Sequence, residues 1–182
     1  KEQAILYCTL AKSLQYTSAD SAINYAQKGF ELSQAAEYDL GMAEASAILG
    51  DVYVVTNQLE EAKKHYSNAV DFFKVTDHLF DVTQIGMILG NIHLAQNEYL
   101  PALKLYQECL DNSLENDFRS LTPHLYNNIG ELYLEIEDNE AAKANFERAY
   151  NLFEKQEDQY NLAMCMLNLA RISATNNNRE EA

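Results

Sequence analysis

Tryptophan is absent from this 182-residue chain, proline occurs twice and glycine six times. An all-β fold spends Gly and Pro at its many turns, so their scarcity argues against a sandwich or barrel and leaves helices. Long apolar runs are missing as well. No stretch approaches the roughly 20 residues needed to cross a bilayer, and no signal-peptide pattern is present. Basic residues are few, 13 Lys and Arg against 28 Asp and Glu, for a formal charge of −15. That field repels phosphate backbones and anionic lipid, so neither nucleic acid nor membrane is expected as a partner, and a basic or neutral one fits better. Cysteine is limited to Cys8, Cys109 and Cys165, an odd number without CxxC or CxxH neighbours. They read as reduced, buried thiols, which favours a cytoplasmic location. No GxSxG, P-loop, HExxH or Rossmann fingerprint occurs, and His65, His78, His93 and His124 have no second ligand at metal-binding spacing. No catalytic residue, metal or cofactor is expected, and the chain reads as a non-enzyme. It opens at Lys1 without a Met and stops at Ala182 inside a helical pattern, as a piece of a longer protein would.

What is present is a repeat. Shifting the chain by 40 residues aligns Leu49-Gly50 with Leu89-Gly90, Ile129-Gly130 and Leu169-Ala170. Ala62, Ala102, Ala142 and Ala182 form a second column, Gly29, Ala69, Cys109 and Ala149 a third, and Tyr66, Tyr106 and Phe146 a fourth with Ala26 as its first member. Tyr53, His93 and Tyr133 form a fifth. Leu49, Gly50 and Tyr53 lie on one helical face, and so do Ala62, Tyr66 and Ala69. The small residues let two helices approach closely while the aromatics fill the space beside them. Asn57, Asn97, the pair Asp138-Asn139 and Asn176 to Asn178 fall between these faces, where Asn tolerates the left-handed conformation that ends a helix. Each repeat is therefore a helix A, a tight turn and a helix B. The column Glu37, Asp77, Asp117 and Glu157 falls just before helix A and reads as a repeated cap or turn acceptor.

These columns resemble the tetratricopeptide repeat (TPR), with its small residues at the eighth, twentieth and twenty-seventh positions and aromatics at the eleventh and twenty-fourth. The period departs from that family, at 40 rather than 34 residues, so helix B or the connection after it is expected to be longer. The opening Trp of helix A and the closing Pro are absent. Long repeats of this type are similar to those of polarity adaptors and of bacterial signalling and peptide-sensing regulators. The resemblance implies an all-α, right-handed α-α superhelix: a TPR solenoid of four full helical hairpins and a partial fifth. Because a lone hairpin cannot bury its apolar face, residues 1–182 are expected to form a single solenoid. Its repeats run approximately 4–42, 43–82, 83–122, 123–162 and 163–182, the last one partial.

The resemblance also implies a function: a protein–protein or peptide-binding scaffold that uses a concave groove lined by the A helices. The groove-facing positions are Cys8, Thr9, Lys12 and Tyr16, then Glu44, Ala47, Ile48, Asp51 and Val55. They continue with Gln84, Met87, Ile88, Asn91 and Ala95, then His124, Asn127, Asn128, Glu131 and Glu135, and last Met164, Leu167, Asn168, Arg171 and Thr175. Among them Asn91, Asn127, Asn128 and Asn168 could grip a peptide main chain, since an amide both donates and accepts. Ile48, Met87, Ile88 and Leu167 would add apolar contacts, with Glu131 and Arg171 beside them. The competing reading is that these Asn tie neighbouring helices together or face water. A clamp for a C-terminal carboxylate is disfavoured, because Lys12 and Arg171 lie at opposite ends of the chain. Two alternatives concern context. The chain could be the sensory arm of a larger bacterial kinase, cyclase or transcription regulator, or it could self-associate through its uncapped fifth repeat.

Overall fold

A computed structural model describes the backbone of residues 1–180 and the side chains of residues 1–174. Among the described residues every element is helical. In chain order they are α1 (Glu2–Leu14), α2 (Ala19–Ala35), α3 (Asp39–Val55), α4 (Leu59–Val75), α5 (Leu79–Ala95), α6 (Tyr99–Glu115), α7 (Thr122–Glu135), α8 (Asn139–Lys155) and α9 (Gln159–Glu180). Odd-numbered helices are the A helices of the repeat and even-numbered ones the B helices. The chain is an all-α helical-repeat solenoid.

The extra length of the repeat is shared between its two helices. Each of α3, α4, α5, α6 and α8 contains 17 residues, and three residues separate neighbouring helices except between α1 and α2, where there are four, and between α6 and α7, where there are six. Helix B or the connection after it was the expected place for it. Relative to a 34-residue unit each half gains three residues, nearly one helical turn of about 3.6.

A single device ends the helices at this spacing. Glu37, Asn57, Asp77, Asn97, Asp117, Glu137 and Glu157 all have positive φ, between 48° and 61°, and stand 20 residues apart. At the end of α3 the amide of Gln58 donates to the Tyr53 carbonyl (2.8 Å) and that of Asn57 to Val54 (2.9 Å), the paired bonds of a Schellman motif. The same pair recurs after α8, from Asp158 to Phe153 (3.0 Å) and from Glu157 to Glu154 (3.1 Å). Asn57 and Asn97 do what their side chains predicted. In the fourth repeat the left-handed residue is Glu137, one position before the expected Asp138-Asn139, and Asp138 instead caps α8 by accepting from the Ala141 amide. The acidic column Glu37, Asp77, Asp117 and Glu157 lies before the A helices as expected, with left-handed backbone at each position, and Asp117 accepts from Arg119 Nε within its turn. Asn176 to Asn178 form no turn, since α9 runs through them. Ala182 and the side chain of Thr175 lie outside the described residues.

The late start of α7 has a covalent cause. Its sister helices would place the first residue at 119, but Pro123 has no amide to donate to the Arg119 carbonyl, so the helix begins at Thr122 with Pro in its first turn. The carbonyl left over is taken by Gln156 Nε2 at 2.7 Å, and Thr122 bonds the buried hydroxyl of Ser113 at 2.7 Å.

The helices group into two compact units, Lys1–Ile92 and His93–Ala182, with the division inside α5. In the first, α1 packs on α2, α2 on α3 and α3 on α4. A Cβ at Gly50 would lie 2.6 Å from the ring of Tyr66, so the bare backbone of α3 is what admits the tyrosine. Tyr66 is 2% exposed and Ala62, one turn before it, is fully buried. In the second unit α6 packs on α7, α7 on α8 and α8 on α9. There Gly130 presses on Phe146, where an added Cβ would meet the ring at 2.8 Å. These two contacts repeat the small-against-aromatic pairing read from the sequence columns.

Candidate functional site

The A-helix face of the first unit contains a cavity of about 480 Å³. From α1 come Ile5, Cys8, Thr9 and Lys12; from α3 Glu44, Ala47, Ile48 and Asp51; from α5 Asp81, Gln84, Ile85 and Ile88. Two residues of α4, Tyr66 and Phe73, close its floor. Its lining is thus apolar branched side chains with three carboxylates and one lysine.

Asp51 is held in place, and both it and Glu44 are partly withdrawn from water. Tyr66 Oη donates to Asp51 Oδ1 at 2.6 Å, across from α4 to α3. Burial raises the pKa of Asp51, while the tyrosine bond and Lys12 oppose the rise. Glu44 is raised too, by burial and then by the charge of Asp81, with Lys12 and His78 acting the other way. Burial also pushes the Cys8 thiol up to about 11, so it is a packing residue beside the cavity and not a ready thiolate.

A raised carboxylate pKa has a definite consequence. The folded chain takes up this proton at a higher pH than the unfolded one, so ionised Asp51 costs stability at neutral pH and the cost disappears as pH falls. Asp51→Asn keeps an acceptor for Tyr66 and loses the charge. Its melting midpoint is expected at or above that of the parent chain at pH 7, with the difference gone below about pH 4, the ordinary Asp range. A variant that melts well below the parent at pH 7 contradicts this.

The second unit contains a smaller cleft of about 390 Å³, lined by Leu94, Ala95, Asn97, Glu131, Leu134, Glu135 and Arg171. The residues expected from sequence divide between the two units. Ile48 and Ile88 line the first cavity and Glu131 and Arg171 the second. Asn91 is exposed on α5 and Met87 half-buried on the same helix. Asn128 is half-buried on α7, and Leu167 is exposed on α9. Asn127 donates to Glu131 Oε1 at 2.8 Å and accepts from Cys165 Sγ at 3.7 Å, which ties α7 to α9. Asn168 is buried, and its Oδ1 accepts from Arg171 Nη1 at 3.4 Å. The contact of Asn127 with Cys165 favours the competing reading for that residue, in which the amide ties neighbouring helices, whereas the bond of Asn168 stays within α9.

Sequence reasoning passed over Asp81, Ile85, Ile5, Tyr66 and Phe73. Asp81 had a visible signal: its column is Gly41, Asp81, Leu121 and Asn161, where a carboxylate is out of keeping. The others had none, since their columns read as core. Among the described residues no group of three or more His, Cys, Asp or Glu could hold a metal ion, and no helix is long and apolar enough to cross a membrane.

The fold and the repeat together define a helical-hairpin solenoid of the TPR class. The family model of the MalT-like TPR region matches residues 2–182, and the chain belongs to that family. RNA polymerase-associated protein CTR9 of Caenorhabditis elegans is 23% identical over 181 residues, covering 68% of this chain and only 16% of that protein. Aspartyl phosphate phosphatase F from Bacillus subtilis has a similar structure, with a TM-score of 0.87 at 15% identity over 92% of this chain and 44% of that one. A Rap protein complexed with competence and sporulation factor gives 0.76 at 16% identity, over 99% of this chain and 50% of its own.

Proposed function

We propose that the A-helix face of the first unit is a docking groove for an extended segment of a partner protein or peptide. The observation behind the proposal is the cavity of about 480 Å³ where α1, α3 and α5 meet, at positions that the repeat register assigns to a groove. A concave site with apolar walls and a few fixed polar groups suits a ligand that offers both kinds of contact. The complex of a Rap protein with competence and sporulation factor is an example of a similar fold holding another molecule. Relative to the sequence expectation, the proposal moves the site from the Asn cluster to Ile48, Ile88 and the side chains around them.

The test is selection of binding peptides from a random twelve-residue library against the whole chain. Ala47 lines the groove and is half-buried. Ala47→Leu adds bulk there without adding charge, and helix propensity changes little. Selected peptides are expected to lose tenfold or more in affinity for Ala47→Leu while its thermal melt stays close to the parent. Peptides that bind the variant as well as the parent, or a library that yields no binder, would overturn the proposal.

A further inference from the structure

The inference rests on the groove reading above and names the chemistry of its occupant. Among the described residues that line the cavity, Glu44, Asp51 and Asp81 face a single cation, Lys12. The excess is built in. Asp51 is oriented by the hydroxyl of Tyr66, and that ring is locked between α3 and α4 by its fit against Gly50. A carboxylate fixed in this way meets a ligand without first losing rotamer freedom, which lowers the cost of binding. Burial, and after it the charge of Asp81, raises the pKa of Glu44, so these two carboxylates repel each other. A bound positive charge would relieve that repulsion.

The nature of the positive charge can be narrowed. A metal ion is unsuited, because no group of three or more acidic, His or Cys side chains among the described residues could hold one. A second copy of this chain is unsuited too, since its formal charge is −15. Beside the carboxylates lie Ile48, Ile85 and Ile88, which suit an apolar stem and an apolar neighbour. Long basic side chains combine such a stem with a charged head. The planar guanidinium, with five donors, can serve more than one carboxylate at once, which an ammonium does less well.

We infer that the groove of the first unit selects a partner segment presenting an arginine, or second best a lysine, next to a branched apolar residue. Arginine seats on Glu44 and Asp81, the two carboxylates whose charges act on each other, and the apolar neighbour lies on Ile48 and Ile88.

The peptide library provides the probe. Peptides selected on the parent chain are expected to be enriched at least threefold in Arg and Lys over the input, with Arg ahead. The best Arg peptide and its citrulline analogue, equal in shape but uncharged, are then measured on the parent and on the double variant Glu44→Gln/Asp81→Asn. The Arg peptide should lose tenfold or more on the double variant, and the analogue should bind both chains equally and weakly. Raising salt should weaken the Arg peptide on the parent chain. Both substitutions keep the size of the side chain and leave the Tyr66–Asp51 bond in place, so the double variant should fold, and a thermal melt checks this. If selected peptides are blocked by Ala47→Leu but show no enrichment in Arg or Lys, the inference fails and the groove stands. If the Arg peptide and its analogue bind the parent equally, the inference fails in the same way. If no selected peptide is blocked by Ala47→Leu, both readings fail.

Discussion

Phe146→Ala is expected to cost about 3–5 kcal/mol, at the upper end of what a buried aromatic loses on truncation. The ring is fully buried on α8 and sits against the backbone of Gly130. Because Gly130 has no side chain, nothing on that part of α7 can relax into the hole. For a chain of this length the loss corresponds to a fall of about 10–15 °C in the melting midpoint. The same contact makes a stricter prediction. Gly130→Leu alone overpacks the ring and should cost about 1–3 kcal/mol. Combined with Phe146→Ala, the leucine enters the vacated space. The double variant should be more stable than the two single losses imply, by at least about 0.5 kcal/mol. Purely additive losses, or a Phe146→Ala loss below about 1 kcal/mol, would show that the small-against-aromatic pairing does not hold these helices together.

The second large effect has the opposite sign. Glu37, Glu137 and Glu157 have φ of 48°, 61° and 57°, where a Cβ is penalised. The left-handed conformation costs such a residue about 1–2 kcal/mol, and glycine gives back about 0.5–1 kcal/mol through its freer unfolded chain. Replacing all three by Gly should therefore stabilise the chain by about 2–3 kcal/mol and raise the melting midpoint by about 5–10 °C. The three lie at separate helix ends, so their effects should add. Replacing the same three by Gln removes the charge and keeps the Cβ. That control separates relief of self-repulsion in an acidic chain from relief of backbone strain. A gain as large with Gln as with Gly would contradict the account.

These two predictions mark where the sequence was readable and where it was not. The columns that pair Gly50 with Tyr66 and Gly130 with Phe146 are periodic, apolar and local to one hairpin, so their spacing alone revealed the packing. The 20-residue step between helix ends was hidden, because only Asn57, Asp77, Asn97 and Asp117 of the seven left-handed residues are of a type that tolerates the conformation well. The other three are Glu, whose place depends on backbone geometry and not on side-chain preference. Pro123 was visible as a residue, but its effect on α7 needed the partner Gln156, which is remote in sequence.

The site was half legible for a related reason. Repeat register put Lys12, Glu44, Asp51, Ile48 and Ile88 on A-helix surfaces, and all five line the cavity. The versatility of an amide left two readings open for Asn127 and Asn168, a grip on a peptide or bonds within the chain, and both residues bond within the second unit. Tyr66 could not be anticipated as part of a groove floor, since its column is a core column and its hydroxyl crosses to α3 only in three dimensions.

The central claim is that the first unit holds its partner on the face shared by α1, α3 and α5. Isoleucine methyl NMR tests it most directly, with a library-selected peptide titrated into the labelled chain. Ile5, Ile48, Ile85 and Ile88 line the cavity, whereas Ile129, Ile136 and Ile172 belong to the second unit. The account predicts that the first four methyl signals shift and saturate together while the latter three stay in place. Saturating shifts at Ile129, Ile136 or Ile172, with Ile48 and Ile88 unmoved, would contradict it.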